Sequence, residues 1–199
     1  MQRFFDIVFS GMALILLSPL LLPLMVALRV TGEGEIFFPQ SSVGRCGKHF
    51  KLYKFATMLK DSPNMGTGTV TVKNDPRVLP MGGFLRKTKI NELPQLINIF
   101  NGDMSVIGPR PQTQRCFDAF PLSSQNEIIK VRPGLSGIGS IIFRDEEDMM
   151  YANNDPDKFY DEIVMPYKGS LENWYVSHQN IVSYFILIGL TIWIVLGFS

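Results

Sequence analysis

TKINELPQLINIFNGDMSVIGPRP, residues 88–111, changes character twice. It opens with cations and an amide–carboxylate pair, runs through an apolar stripe at Leu93, Leu96, Ile97 and Phe100, and ends in Gly and Pro. The stripe has helical spacing. Asn91 is a good N-cap residue, and Pro94 falls in the first turn, where a missing N–H costs nothing. Gly102-Asp103 suits the helix end, although Asp103 is also a candidate metal or structural carboxylate. A helix start carries unpaired N–H groups and a positive dipole end, which together favour an anion. Arg86, Lys87 and Lys89 precede it, and Gly108-Pro109-Arg110-Pro111 pins an arginine, the side chain suited to bidentate phosphate contact, in a rigid loop. The spacing therefore predicts a phosphate site, carried by a lipid or a nucleotide, with Glu92 placed to bind a divalent cation.

The two ends of the chain supply a membrane context. Phe4 to Val30, FFDIVFSGMALILLSPLLLPLMVALRV, carries one acidic and one basic residue, and Ile181 to Phe198, IVSYFILIGLTIWIVLGF, carries none. The first stretch is longer than the roughly 7 to 15 residues of a signal-peptide core and lacks a following small-residue cleavage motif. Its length suits a bilayer span, but Ser18-Pro19 and Pro23 predict a break or sharp bend, with the Ser18 hydroxyl as a donor to a freed carbonyl. Arg3 and Arg29 at its two ends suit a segment that enters and leaves on the cytoplasmic side. A re-entrant helix-break-helix and a kinked span both fit. The C-terminal stretch has no charged face, so a second membrane-inserted segment is expected over an interfacial helix.

Between them, Ile36-Phe37-Phe38 and Phe50 to Phe55 read as a β-hairpin with Gly44 and Gly47 in the turn. Arg45, Lys48, Lys51 and Lys54 make it basic, and Tyr53 and Phe55 flank Lys54 so that its stem is held and its ammonium aimed. Residues 61–80 predict an irregular loop containing the turn signal KNDPR. A helical stretch to Lys130, a VRPGLSGIGS loop, the acidic run RDEED, and a helix over 155–175 follow. The fold class is mainly α with a small β-hairpin (α+β).

The formal net charge of +1 over 199 residues argues against a nucleic-acid binder. Cys46 and Cys116 match neither a zinc nor a CxxC pattern and read as free thiols of a reducing compartment, and two histidines are too few for a histidine-built metal site.

In the order Arg3-Phe4-Phe5-Asp6, Ser18-Pro19, KLYKFATM (51–58), NDPRV (74–78), LRKTKINELPQLINIFNGDMSVIGPRP (85–111) and VRPGLSG (131–137), the chain resembles the monotopic polyprenyl-phosphate phosphoglycosyl transferases, the bacterial sugar transferases. The resemblance implies a monotopic membrane protein: a re-entrant membrane helix over 1–30, a cytoplasmic catalytic domain over 31–178 and a membrane-associated segment over 179–199. It implies transfer of a phosphosugar from a UDP-sugar to undecaprenyl phosphate with release of UMP, Mg2+ as cofactor, and residence on the cytoplasmic leaflet of the bacterial inner membrane, with a homodimer left open. Lys54, Arg86 and Arg110 would contact phosphates, Arg3 the lipid headgroup, and Glu92 the metal.

The family's nucleophilic Asp-Glu pair falls on Asn91-Glu92, so an amide stands where a carboxylate is expected. Three readings follow: a substitution that blocks turnover, a branch using another carboxylate, or lost catalysis. Glu92 and the run Asp145, Glu146, Glu147 are the alternative carboxylates. The run stands where many members read WAQVNGR, and an acidic run is usually a solvated face.

Overall fold

The long apolar N-terminal stretch forms one helix, α1 (Gln2–Thr31), in a computed structural model that describes residues 1–65, 75–144, 149, 155–195 and 197. Asp145, Glu146 and Glu147 lie outside the described residues. The break expected at Ser18-Pro19 is corrected: the helix continues through Pro19 and Pro23. Pro19 has no N–H for the carbonyl of Ile15, four residues back. The Ser18 hydroxyl donates to that carbonyl at 2.8 Å instead.

α1 is nearly uniform in composition but not in surroundings. Asp6, Ser10, Leu21 and Leu28 are buried, and Ala13, Leu14, Leu17, Leu24 and Met25 pack beside them against the rest of the chain. The other side leaves Phe4, Ile15, Leu16, Leu22, Val26 and Val30 exposed. At 1.5 Å per residue the helix is about 45 Å long, and it lies along the remainder of the molecule from end to end.

The hairpin forms as the alternation predicts. β1 (Phe37–Val43) pairs antiparallel with β2 (His49–Phe55), with Phe37 opposite Phe55 and Val43 opposite His49. The turn closes through a 3₁₀ segment at Arg45–Gly47 in which Cys46 and Gly47 both have positive φ. After the hairpin come α2 (Gly82–Lys87), a 3₁₀ turn at Ile90–Glu92, and α3 (Gln95–Asn101). Leu52, Leu96, Ile99 and Met104 make the core between β2, α3 and α1. Asn98 fastens α3 to β2: its Oδ1 accepts from Tyr53 N–H at 3.0 Å and its Nδ2 donates to Lys51 O at 2.8 Å. Gly102 ends α3 at φ 103°, the conformation glycine adopts without penalty.

Two Gly/Pro loops then clasp each other. β3 (Ser105–Ile107) and β4 (Gly134–Ser136) pair in parallel. Gly134 N–H donates to Pro109 O at 2.8 Å and Gly108 N–H to Ser136 O at 2.9 Å. A Cβ on Gly108 would stand 2.9 Å from Gly134 N, so the approach requires glycine. This is why GPRP and RPGLSG recur as separate motifs in one chain: each is the other's seat.

The expected helical stretch to Lys130 is two helices, α4 (Gln114–Asp118) and α5 (Leu122–Ile128), divided at Pro121. α6 (Ile138–Ile142) follows β4. α7 (Pro156–Phe159) passes through a π-helical turn at Tyr160–Val164 into α8 (Met165–Ser177). α9 (Ile181–Val195) returns to α1, where Phe185 meets Phe5 edge-to-face at 5.0 Å. Asp6 is the polar joint of this corner, accepting from Ser105 Oγ, Val106 N–H and Tyr184 Oη at 2.9–3.0 Å. Val182, Ile186, Leu190, Trp193 and Val195 of α9 are exposed.

Candidate active site

The helix start anticipated at Asn91 is corrected. Pro94 has no N–H for the carbonyl of Ile90, so that carbonyl takes the N–H of Leu93 at 3.1 Å, a 3₁₀ contact, and the α-helix begins only at Gln95. Asn91 therefore caps nothing. Its side chain is 7% exposed and its Oδ1 has no hydrogen-bond partner among the described residues. With α3 spanning only Gln95–Asn101, side chains rather than a helix dipole supply the positive charge.

Those side chains converge on Glu92. Arg110 donates from Nη2 to Glu92 Oε1 at 2.6 Å and from Nη1 to Oε2 at 3.4 Å. Arg110 arrives on the clasped Pro-Arg-Pro loop and Glu92 on the 3₁₀ turn. Lys54 comes from β2, where Phe38 is its cross-strand partner, and its Nζ donates to Gln40 Oε1 at 2.8 Å. Arg86 closes α2, with Nη1 3.7 Å from Met58 Sδ. Lys89 enters through a left-handed backbone, φ 58°. A lysine in that region is uncommon, and such conformations cluster at functional sites.

Burial pushes the Lys54 ammonium down to about 8; Glu92 opposes this, while Arg110, Arg86 and Lys89 add to it. Burial pushes the Glu92 carboxyl up, but the charge and hydrogen bonds of Arg110, with Lys54 and Lys89 beyond, outweigh burial and hold it at about 2. Glu92 thus sits with Arg110, Lys54 and Lys89, and Arg86 acts on Lys54, an excess of cations suited to a phosphate-bearing ligand.

The structure brings Lys54, Arg86, Glu92 and Arg110 into one region, and Asn91 adjoins them. Arg3 does not. Its Nη1 donates to Ile99 O at 2.5 Å and its Nη2 to Phe100 O at 2.7 Å, so its guanidinium caps the C-terminus of α3 and joins α1 to it. Asp103 accepts from Asn98 Nδ2 at 3.2 Å and serves the helix end. Lys89, unassigned from sequence, belongs to the site; TKIN contains no glycine to announce a left-handed turn.

The family model for bacterial sugar transferases matches residues 1–197. The chain belongs to that family. It is 35% identical over 165 residues to the exopolysaccharide production protein ExoY of Rhizobium meliloti, covering 76% of this chain and 72% of the relative. It is 36% identical over 143 residues to the UDP-glucose:undecaprenyl-phosphate glucose-1-phosphate transferase of Escherichia coli, covering 71% of this chain and 31% of that protein. To the undecaprenyl-phosphate galactose phosphotransferase of Salmonella typhimurium it is 31% identical over 195 residues, which is 91% of this chain and 37% of the relative. The chain thus spans most of the ExoY protein and about a third of either transferase.

Proposed function

We propose that this protein transfers a phosphosugar from a UDP-sugar to undecaprenyl phosphate. An oxygen of the lipid phosphate bonds to the β-phosphorus of the donor as the bond from that phosphorus to the oxygen retained by UMP breaks. The products are undecaprenyl-diphosphate-sugar and UMP. The observation that carries this reading is the gathering of Lys54, Lys89 and Arg110 around Glu92, with Arg86 beside Lys54, in a chain whose family includes transferases of this kind.

Phosphoryl transfer is mostly positioning and charge neutralisation. Arg110 offers a planar fork to phosphate oxygens, and Lys54 a point charge. Glu92, held near pKa 2 and bound by Arg110, is a weak nucleophile; its chemistry is to order the cations and to bind metal. A family route through a carboxylate–phosphosugar intermediate needs a carboxylate at position 91, where this chain has an amide.

Magnesium fits in a limited way. No group of three His, Cys, Asp or Glu side chains forms a metal site among the described residues, but magnesium is often bound by one carboxylate plus substrate phosphates. Glu92 would be that ligand, and the ion would supply neutralisation of the donor diphosphate.

The same reading seats the protein as a monotopic membrane protein on the cytoplasmic leaflet of the inner membrane. Support comes from α1, which is packed along one side while the other side stays apolar and exposed. An unbroken helix packed in this way suits a course along one leaflet better than a free crossing helix.

The test is UMP release by the detergent-purified protein with undecaprenyl phosphate, Mg2+ and a panel of UDP-sugars, run beside Asn91→Asp and Glu92→Gln. Turnover by the chain as written, lost in Glu92→Gln, supports the reading with Glu92 essential. Turnover only in Asn91→Asp makes this chain a blocked form of the same enzyme. Absence of UMP release in both, with every sugar, sinks the proposal.

A further inference from the structure

Lys54 is held in an uncommon way for a cation inside a cluster of charges. Among the described residues its ammonium makes one hydrogen bond, to the amide oxygen of Gln40 at 2.8 Å, and no ion pair. Glu92 stands close enough to oppose the effect of burial on that ammonium, yet Arg110 takes both of its oxygens. A charge removed from water ordinarily pairs with its opposite. Here the bonded acceptor is neutral.

The hairpin explains how the contact arises. Opposed residues share a face of a two-stranded sheet, and the faces alternate along each strand. Gln40 is opposite Leu52 and Phe38 is opposite Lys54, so the amide and the ammonium are diagonal neighbours on one face. Leu52, on that face, is 1% exposed and packs in the core with Leu96 and Ile99 of α3. The same strand, β2, packs against the 3₁₀ turn that carries Glu92.

An amide and a carboxylate of equal length would reach the ammonium equally well, but they differ in what they leave for a ligand. A carboxylate would pair with Lys54 and cancel its charge. The glutamine oxygen occupies one N–H donor and leaves the charge and the remaining donors for a phosphate oxygen. It also restrains a flexible four-carbon stem that could otherwise swing onto Glu92 and be neutralised there.

We propose that Gln40 is a positioning residue for Lys54, a neutral acceptor that holds the ammonium off Glu92 and keeps its charge for a bound phosphate. It touches neither the phosphate nor the reacting atoms and acts through Lys54. This rests on the phosphate-binding part of the functional reading.

The experiment is a double-mutant cycle on ligand affinity. UMP binding is measured by calorimetry for the full chain in detergent, for Gln40→Met, Gln40→Glu and Lys54→Met, and for Gln40→Met combined with Lys54→Met, with unfolding midpoints recorded for all. Gln40→Met keeps the length of the side chain and removes the acceptor. It is expected to weaken UMP by about tenfold, since small misplacement of a binding group is costly, and the loss should vanish where Lys54 is already Met. Wild-type affinity in Gln40→Met, or a loss that persists in full without Lys54, overturns the proposal.

Gln40→Glu separates positioning from shape. A glutamine that only filled space or stiffened the hairpin would be replaced by glutamate without harm. The expected result is weaker UMP binding near neutral pH together with an alkaline loss of affinity that begins at higher pH, because the new carboxylate favours the charged ammonium. The other charges facing Lys54 are Glu92 and Lys89 at the 3₁₀ turn, Arg110 on the clasped loop and Arg86 on α2; all are unchanged, so the shift reports position 40. Wild-type affinity in Gln40→Glu, or an alkaline limb that does not move, overturns the proposal, and this variant decides alone if Gln40→Met does not fold.

The same variants titrated with inorganic pyrophosphate separate the two readings. A chain that binds pyrophosphate but neither UMP nor any UDP-sugar fails as a nucleotide-sugar transferase, while the pyrophosphate cycle still decides Gln40. A chain that binds neither UMP nor pyrophosphate overturns both.

Discussion

Two arginine–carboxylate pairs stand a short way apart in this sequence, Asp75–Arg77 and Glu92–Arg110. The first is sealed: its side chains are 2% and 3% exposed, the shortest contact is 2.5 Å, and Arg77 also donates from Nη1 to Ser62 O and Met65 O at 2.8 Å. The second is open: Glu92 is 13% and Arg110 31% exposed, with Lys54 and Lys89 gathered about the carboxylate and Arg86 beside Lys54. Arg77 ties the chain back onto residues 62–65. Arg110 leaves an approach for a ligand and an excess of positive charge to meet it. The pairing chemistry is the same, and the neighbours decide whether it serves stability or binding.

The strongest way to break this contrast is to remove one partner from each pair. Arg110→Ala is expected to lower kcat/KM for the UDP-sugar by about a thousandfold, a size seen when a single charge-stabilising donor is removed from a transfer site, while the unfolding midpoint moves little. Arg77→Ala should do the opposite, since stripping a buried pair of one member leaves an unpaired charge and costs about 3–5 kcal/mol. Assays of UMP release beside thermal unfolding in detergent check both. Equal damage to stability from the two substitutions would erase the distinction.

A smaller effect separates the open site by pH. Burial lowers Lys54 to about 8 from 10.5. Between those values the unfolded chain holds a proton that the folded chain has released, so stability contributed by this group rises with pH across the window. Phosphate binding needs the ammonium and should weaken over the same range, with KM rising about tenfold per unit above pH 8. Glu92 has the reverse sign: its folded pKa is lowered from 4.5 to about 2, so its contribution is full above 4.5 and is lost only as pH falls toward 2. Lys54→Arg should carry the alkaline loss of affinity upward. A KM that is flat from pH 7 to about 10 (a range spanning the ordinary lysine value) would remove Lys54 from the phosphate site.

What the sequence showed of this arrangement follows physical locality. The hairpin was legible because alternation and turn glycines are local, and Glu92, Arg110, Lys54 and Arg86 were legible through motif resemblance. Asn91 was misread as a cap because Pro94 acts on the carbonyl of Ile90, shifting the helix start by a hydrogen bond that a cap pattern does not count. Arg77 read only as part of the turn signal KNDPR, since its partners at Ser62 and Met65 meet it only after the loop closes. Lys168 and Glu172, four apart in YKGSLEN, have the spacing of a solvent-exposed helical pair; only the tertiary fold buries them. Arg3 reads as a lipid-headgroup residue from its place at the head of an apolar segment, and its bonds to the end of α3 emerge only from the fold.

The smallest predicted effect lies in α1, whose polar contact at Ser18 repeats the sealed logic of Asp75–Arg77 on a lesser scale. Pro19 deprives Ile15 O of its helical donor, and Ser18 Oγ supplies one at 2.8 Å. In an apolar surrounding water is not available to replace it. Ser18→Ala should therefore lower stability by about 1 kcal/mol, the usual net worth of one hydrogen bond, or about 2–4 °C for a chain of this size. Pro19→Ala returns an N–H to Ile15 O, so in that background Ser18→Ala should cost nothing. The coupling between the two substitutions, read from unfolding midpoints in detergent, isolates this bond. A Ser18→Ala loss of the same size with and without Pro19 would mean that the hydroxyl serves some other contact and that the helix crosses its proline without it.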